Sequence, residues 1–148
     1  MDRTYIADQP YKIFQVLKGY AGKRQEHFGI ILLDSGLRII KKKILFIGTE
    51  SRTMIERKVV FWEACSGKAS AVVLFHNHPT GNLQPSGEDI KTTEDLAEGF
   101  ASLGIQILDH IIVGRTWQDS FFSFKEHGLL KPEENKLDKV AEVQGGQK

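Results

Sequence analysis

Ala69 to Phe75 (Ala-Ser-Ala-Val-Val-Leu-Phe) is an uncharged, largely apolar run, and His76-Asn77-His78-Pro79-Thr80-Gly81 follows it directly. That length and composition predict a buried strand. Pro79 has no N–H to give to a ladder, so the strand has to stop there. Side chains alternate faces along a strand, which sends His76 and His78 to the same side at its end. Shortly afterwards Gln84-Pro85-Ser86-Gly87-Glu88-Asp89 has the form of a helix start. Ser86 is the N-cap, and Glu88 and Asp89 stand in the first turn, where the helix dipole favours them. The fold must therefore bring a buried strand's end and a helix's N-terminus close in sequence, with two imidazoles at the junction.

Two neutral imidazoles side by side supply two corners of a metal site, and Asp89 is the candidate third ligand. Two histidines and one carboxylate leave a fourth position open, as a catalytic zinc does to hold a water. Each piece also has a plainer meaning. Ser86 and Asp89 are what an ordinary helix start uses, and His-x-His alone is a short motif with many false positives. The two meanings are compatible, because a cap would fix the helix end and aim Asp89 back at the histidines.

Around this junction the chain alternates strand and helix patterns. Asp8 to Lys18 suits a short helix with Ile13, Phe14, Val16 and Leu17 on its apolar side, and Gly19 to Arg24 connects it onward. Gln25 to Asp34 reads as a strand buried on both faces, Asp34-Ser35-Gly36 as a turn, and Leu37 to Ile47 as the returning strand. Gly48 to Ser51 is a loop, and Thr53 to Ser66 a helix carrying Ile55, Val59, Phe61, Trp62 and Cys65. The helix from Ser86 to Leu103 has Ile90, Leu96, Phe100 and Leu103 inward, with Gly104 closing it. Ile105 to Gly114 is an interior strand in which Asp109-His110 is unexpected. The two either satisfy one another as a buried pair or support the metal ligands from behind. Trp117 to Phe124 is the last strand, and His127 is a surface histidine. This order gives an α/β (α+β) single domain, a mixed sheet flanked by helices. Residues 1–24 are its N-terminal helix and connection, 25–130 the domain, and 131–148 a polar tail.

Whole-chain properties narrow the function. The chain has 148 residues, 41% apolar and 26% charged, and a net charge of +1. That suffices for one packed core and gives no global field that would draw it onto nucleic acid. Lys41-Lys42-Lys43, near Arg38, is the one basic cluster; a solvated sheet edge is its expected role, phosphate contact the sharper alternative. Cys65 is the single cysteine. It fits a reducing compartment and is expected to be a small buried hydrophobe. With no signal pattern and no apolar run near the ~18 residues of a membrane span, a cytoplasmic protein without membrane contact is expected.

His76-x-His78-Pro79, with seven residues between His78 and Ser86-x-x-Asp89, resembles the metal motif of the JAMM (MPN+/JAB) metallo-isopeptidases. His-Asn-His-Pro-Thr-Gly-Asn, Pro-Ser-Gly-Glu-Asp-Ile, Leu-Asp-His-Ile-Ile-Val-Gly and Ser-Phe-Lys-Glu-His-Gly resemble its bacterial RadC branch. The likeness runs from about Gln25 to Leu130. It implies a JAMM fold, similar to cytidine deaminases, and one Zn²⁺ per chain held by His76, His78 and Asp89. It also implies that Glu26, ahead of Glu50 and Glu56, takes a proton from the metal's water and later delivers it to the leaving amine. Ser86 would donate to the oxyanion, with Asp109 and His110 as outer support. Thr80 stands where relatives often have serine, and Ile55-Glu56-Arg57-Lys58 where many have His-Pro-Arg-Glu. The helix-hairpin-helix region common in RadC proteins has no room before Gln25. A cytidine deaminase itself needs His-x-Glu and Pro-Cys-x-x-Cys, which one cysteine excludes.

Three functions follow in order of support. The first is a zinc-dependent hydrolase cleaving a peptide or isopeptide bond in a peptide or protein substrate. The second is a nucleic-acid-associated, DNA-repair type of factor without peptidase activity. The third is a metal-free interaction module, which the retained ligand set disfavours.

Overall fold

The computed structural model of the chain describes residues 5–48, 55–116, 118 and 120–130. The loop at Gly48–Ser51 beyond its first residue, the start of the second helix, Glu50, Trp117 and the tail from 131 lie outside the described residues. Among the described residues the order is α1 (Pro10–Gln15), a 3₁₀ turn (Lys18–Tyr20), β1 (His27–Leu33), β2 (Ile39–Ile47), α2 (Arg57–Ser66), β3 (Ala71–Asn77), α3 (Gly87–Ser102), β4 (Gln106–Val113) and β5 (Phe122–Ser123). The five strands form one mixed sheet ordered β2-β1-β3-β4-β5. Only β3 and β4 run parallel, joined through α3. This is the α/β arrangement the element order predicts. Among the described residues the last strand is Phe122–Ser123, two residues and not the eight predicted from Trp117 to Phe124, and the chain turns from Phe124 to Gly128 directly after it.

Strand parity sorts the core into two sides. Ile31, Leu33, Val73 and Phe75 pack with Ile13, Phe14 and Leu17 of the α1 region. Phe28, Ile30, Leu32, Val72 and Leu74 pack with Val60 and Ala64 of α2 and Leu96 and Phe100 of α3. Both central strands are therefore apolar on both faces, the pattern that identified β1 and β3 in the sequence. His76 continues the series Val72, Leu74 and so emerges on the side covered by α3.

Five side chains depart from expectation. Cys65 is exposed, since α2 turns Val60, Glu63 and Ala64 to the sheet and leaves Trp62 and Cys65 to solvent. Leu103 is also exposed, because α3 has ended before it and Leu103 is its C-cap. The lysine run is no simple solvated edge. On edge strand β2, Lys41 and Lys43 reach one face and bond both oxygens of Glu63, at 2.8 and 3.2 Å. Lys42 reaches the other face and donates to the Val16 carbonyl at 2.8 Å.

Candidate metal centre

Three elements converge on the end of β3. Phe28 is paired with His76 across β1 and β3, so Glu26, two residues before Phe28, lies on the same side as the histidines. Ser86 caps α3 in a complete capping box: its Oγ accepts from the Asp89 N–H at 3.0 Å, and its own N–H donates to Asp89 Oδ2 at 2.9 Å. The cap and the ligand geometry are thus one feature, since the same Oδ2 lies 3.2 Å from His78 Nε2 and 3.5 Å from His76 Nε2. The two Nε2 atoms are 2.9 Å apart. One donor atom each from Glu26, His76, His78 and Asp89 lies within 4.8 Å of all the others. The sequence-predicted metal ligands and Glu26 are therefore brought together.

The other ring nitrogens show what the cluster lacks. His78 Nδ1 lies 2.6 Å from the Asn82 carbonyl, which can only accept, so Nδ1 carries the proton and Nε2 a lone pair. Behind His76 the same logic runs through three residues. Thr93 Oγ1 gives its single proton to the Asp89 carbonyl at 2.8 Å, so it accepts from His110 Nδ1 at 2.7 Å. Burial foremost, and then the neighbouring His76 imidazole, push His110 well below the ordinary histidine value, so it is neutral. Its Nε2 therefore accepts from His76 Nδ1 at 2.6 Å, which leaves His76 Nε2 with a lone pair facing Asp89. Burial pushes the Asp89 carboxyl up, but the two histidine rings close to Oδ2 and the Ser86 N–H outweigh this and hold it well below the usual carboxylate range. Two lone pairs and an anionic oxygen at close range form a hole for a cation, and these donors suit a borderline metal such as zinc.

Glu26 has a different environment. Burial raises its carboxyl above the ordinary glutamate value, against the attraction of the His76 and His78 imidazoles. Its position is fixed by a residue that the metal motif does not single out. Asn77, buried between the two histidines, accepts from the His27 N–H at 2.7 Å and donates to the Gln25 carbonyl at 3.0 Å. Glu26 sits between those two anchor points. The signal was present: Asn77 belongs to the opposite face from its neighbours, where an amide inside an apolar strand needs several partners.

Asp109 and His110 do not satisfy one another through their side chains. Val72 pairs with Ile107 but Val73 with Asp109, so Leu108 is an extra residue in β4. This bulge exchanges the faces of everything after it. His110 is turned to the α3 side against His76, and Asp109 to the other. There Asp109 accepts from Ser123 Oγ at 2.6 Å and the Lys125 N–H at 3.0 Å, pinning the turn that stacks Phe124 on the His110 ring. Thr93, the other partner of His110, carries no signal in the sequence beyond its place in a helical pattern. His127 is exposed and stacked on Phe122, away from the cluster, and Arg57 pairs with Asp95 of α3 at 3.7 Å.

A model of the RadC-like JAB domain family matches residues 7–129. The chain is 37% identical over 126 residues to a UPF0758 protein of Rubrobacter xylanophilus, covering 84% of this chain and 54% of that one. It is 38% identical over 116 residues to UPF0758 proteins of Streptococcus pyogenes serotypes M49 and M1, covering 78% of this chain and 50% of each relative. The chain thus spans about half the length of the curated relatives it matches. Among the described residues no helix is long and apolar enough to cross a membrane.

Proposed function

Because the chain belongs to the RadC-like JAB domain family, we propose that it is a zinc-dependent hydrolase that cleaves a peptide or isopeptide bond. The observation that carries this reading is the set of three acceptors, His76 Nε2, His78 Nε2 and Asp89 Oδ2, with both imidazole protons committed elsewhere. A zinc ion held there would lower the pKa of a bound water and polarise a carbonyl. Glu26, raised by burial, takes a proton at its carboxylate and passes it to the leaving amine. Asn77 keeps that carboxylate in place from the histidine strand itself. Ser86 uses its oxygen as an acceptor in the cap, so its O–H can donate to the oxyanion, a contribution of about 3 kcal/mol.

Metal content by plasma mass spectrometry, after zinc has been offered during purification, tests the site. About one equivalent of zinc is expected in the wild type and little in His78→Ala. Glu26→Gln should keep the metal and lower turnover of a cleaved peptide or isopeptide by about 10²- to 10⁴-fold. Wild-type protein that takes up no metal would end the reading, and full turnover in Glu26→Gln would remove Glu26 from it.

A further inference from the structure

At the end of β3, where Pro79 and Thr80 follow His78, lies a cleft of about 660 Å³. Lys23 and Arg24, Pro79 and Thr80, and Arg115 and Thr116 line it. Lys23 and Arg24 lead directly to Glu26, and Pro79 and Thr80 follow His78, so two of its walls are continuations of the site. Lys23, Arg24 and Arg115 have no carboxylate partner among the described residues. The lysine run visible in the sequence differs: Lys41 and Lys43 are held by Glu63, and Lys42 by a backbone carbonyl. Three cations without a carboxylate partner among the described residues thus line one cleft at the end of the histidine strand.

The wall carrying Arg115 is built by close approach. Gly81 has φ +86°, and a β-carbon there would lie 2.7 Å from Arg115 Cδ and 2.9 Å from Cγ. Gly22 has φ +80°, and a β-carbon there would stand 3.0 Å from the Arg115 carbonyl oxygen. Both glycines adopt the left-handed region and leave the space a side chain would fill. The Arg115 stem is packed on the loop after His78, which lowers the ordering cost of a two-pronged bond from its guanidinium to an oxyanion.

We propose that this cleft binds a carboxylate of the peptide substrate, from an acidic side chain or a free C-terminus near the scissile bond. The proposal rests on the hydrolase reading and names its substrate class. An acidic peptide fits better than nucleic acid because these three cations line one cleft of a chain with net charge +1. A phosphate backbone instead rewards an extended basic track.

The test is fluorescence anisotropy with zinc-loaded full chain and a fluorescein-labelled hexapeptide containing three glutamates. Its glutamine counterpart and a labelled 20-mer single-stranded DNA are the other probes. The glutamate peptide should bind about tenfold more tightly than the glutamine peptide, and Arg115→Gln should remove most of that preference. Arg115→Lys should restore part of it. Zinc content, read on the same samples, should be unchanged by either substitution. Equal binding of the two peptides by zinc-containing protein overturns the cleft and leaves the hydrolase reading standing. An acid preference in protein that holds no zinc upholds the cleft as an acid-binding site and ends the hydrolase reading. DNA bound more tightly than the glutamate peptide, and weakened by Arg115→Gln, overturns the proposal in favour of nucleic acid.

Discussion

Two carboxylates in this molecule each face a pair of basic nitrogens, and they are satisfied in opposite ways. Glu63, on α2, receives an ammonium at each oxygen, from Lys41 and Lys43. A donor faces each carboxylate oxygen, so the pair is complete as it stands. Asp89, on α3, faces His76 and His78, whose ring protons point away, to His110 and to the Asn82 carbonyl. All three facing atoms are acceptors. Such a group needs either a metal ion or a borrowed proton. Accordingly, although burial pulls the His78 imidazole down, its bond to Asp89 and the Asn82 carbonyl hold it above its ordinary value. The difference lies in where the protons of the basic partners are committed, and that separates a structural ion pair from a ligand set.

Substitution at the two carboxylates should break the comparison most sharply. Asp89→Asn should lower zinc affinity by more than the ~100-fold that loss of an outer partner costs, because it removes a ligand and the anionic charge. Glu63→Gln should leave zinc affinity unchanged. A chelator-competition titration reads both, and equal loss in the two variants would mean that Asp89 is no more a ligand than Glu63 is.

The chain behind His76 sharpens the same point. Thr93→Val removes the oxygen that accepts from His110, so the neutral His110 is free to place its proton on Nε2, facing His76 Nδ1. We expect zinc affinity to fall about 10- to 100-fold, with Thr93→Ser restoring it. The ¹⁵N shifts of the His76 ring should report a mixture of tautomers in Thr93→Val and a single Nδ1–H form in the wild type. A Thr93→Val protein that keeps wild-type affinity and wild-type shifts would separate the relay from the metal.

How much of this was legible in the sequence depended on whether local rules were enough. The apolar run to Phe75, the stop at Pro79 and the cap at Ser86 are local, and each stands where the pattern puts it. The partners of His110 are not local. They depend on the bulge at Leu108, which reverses the faces of Asp109 and His110 and which nothing in Ile-Gln-Ile-Leu-Asp-His announces. Leu103 and Cys65 were misplaced for a related reason: helical periodicity gives a face but not the residue at which the helix ends or the angle at which it docks. The edge position of Lys41 and Lys43 is legible, but their partner Glu63 is not, because it lies on an element whose position only the fold supplies.

The smallest expected effect is the pH dependence carried by Glu63. Burial pushes its carboxyl up, but the bonds from Lys41 and Lys43 outweigh this and set it below the ordinary glutamate value. A carboxylate lowered by folding stabilises the native state fully above its unfolded pKa, ~4.3 for glutamate, and loses that contribution as pH falls through its native value. Because both lysines are about half exposed, at 48% and 47%, solvent screens the pair, and we expect about 1 kcal/mol at pH 7. Glu63→Gln should therefore unfold at lower urea than wild type at pH 7, and the gap should close as the pH is taken below about 4. The gap should not close on the alkaline side until the lysines themselves lose their protons. A gap that stays constant across the acid range would mean that Glu63 acts through packing and not through charge, and the contrast with Asp89 would then have to rest on the imidazole protons alone.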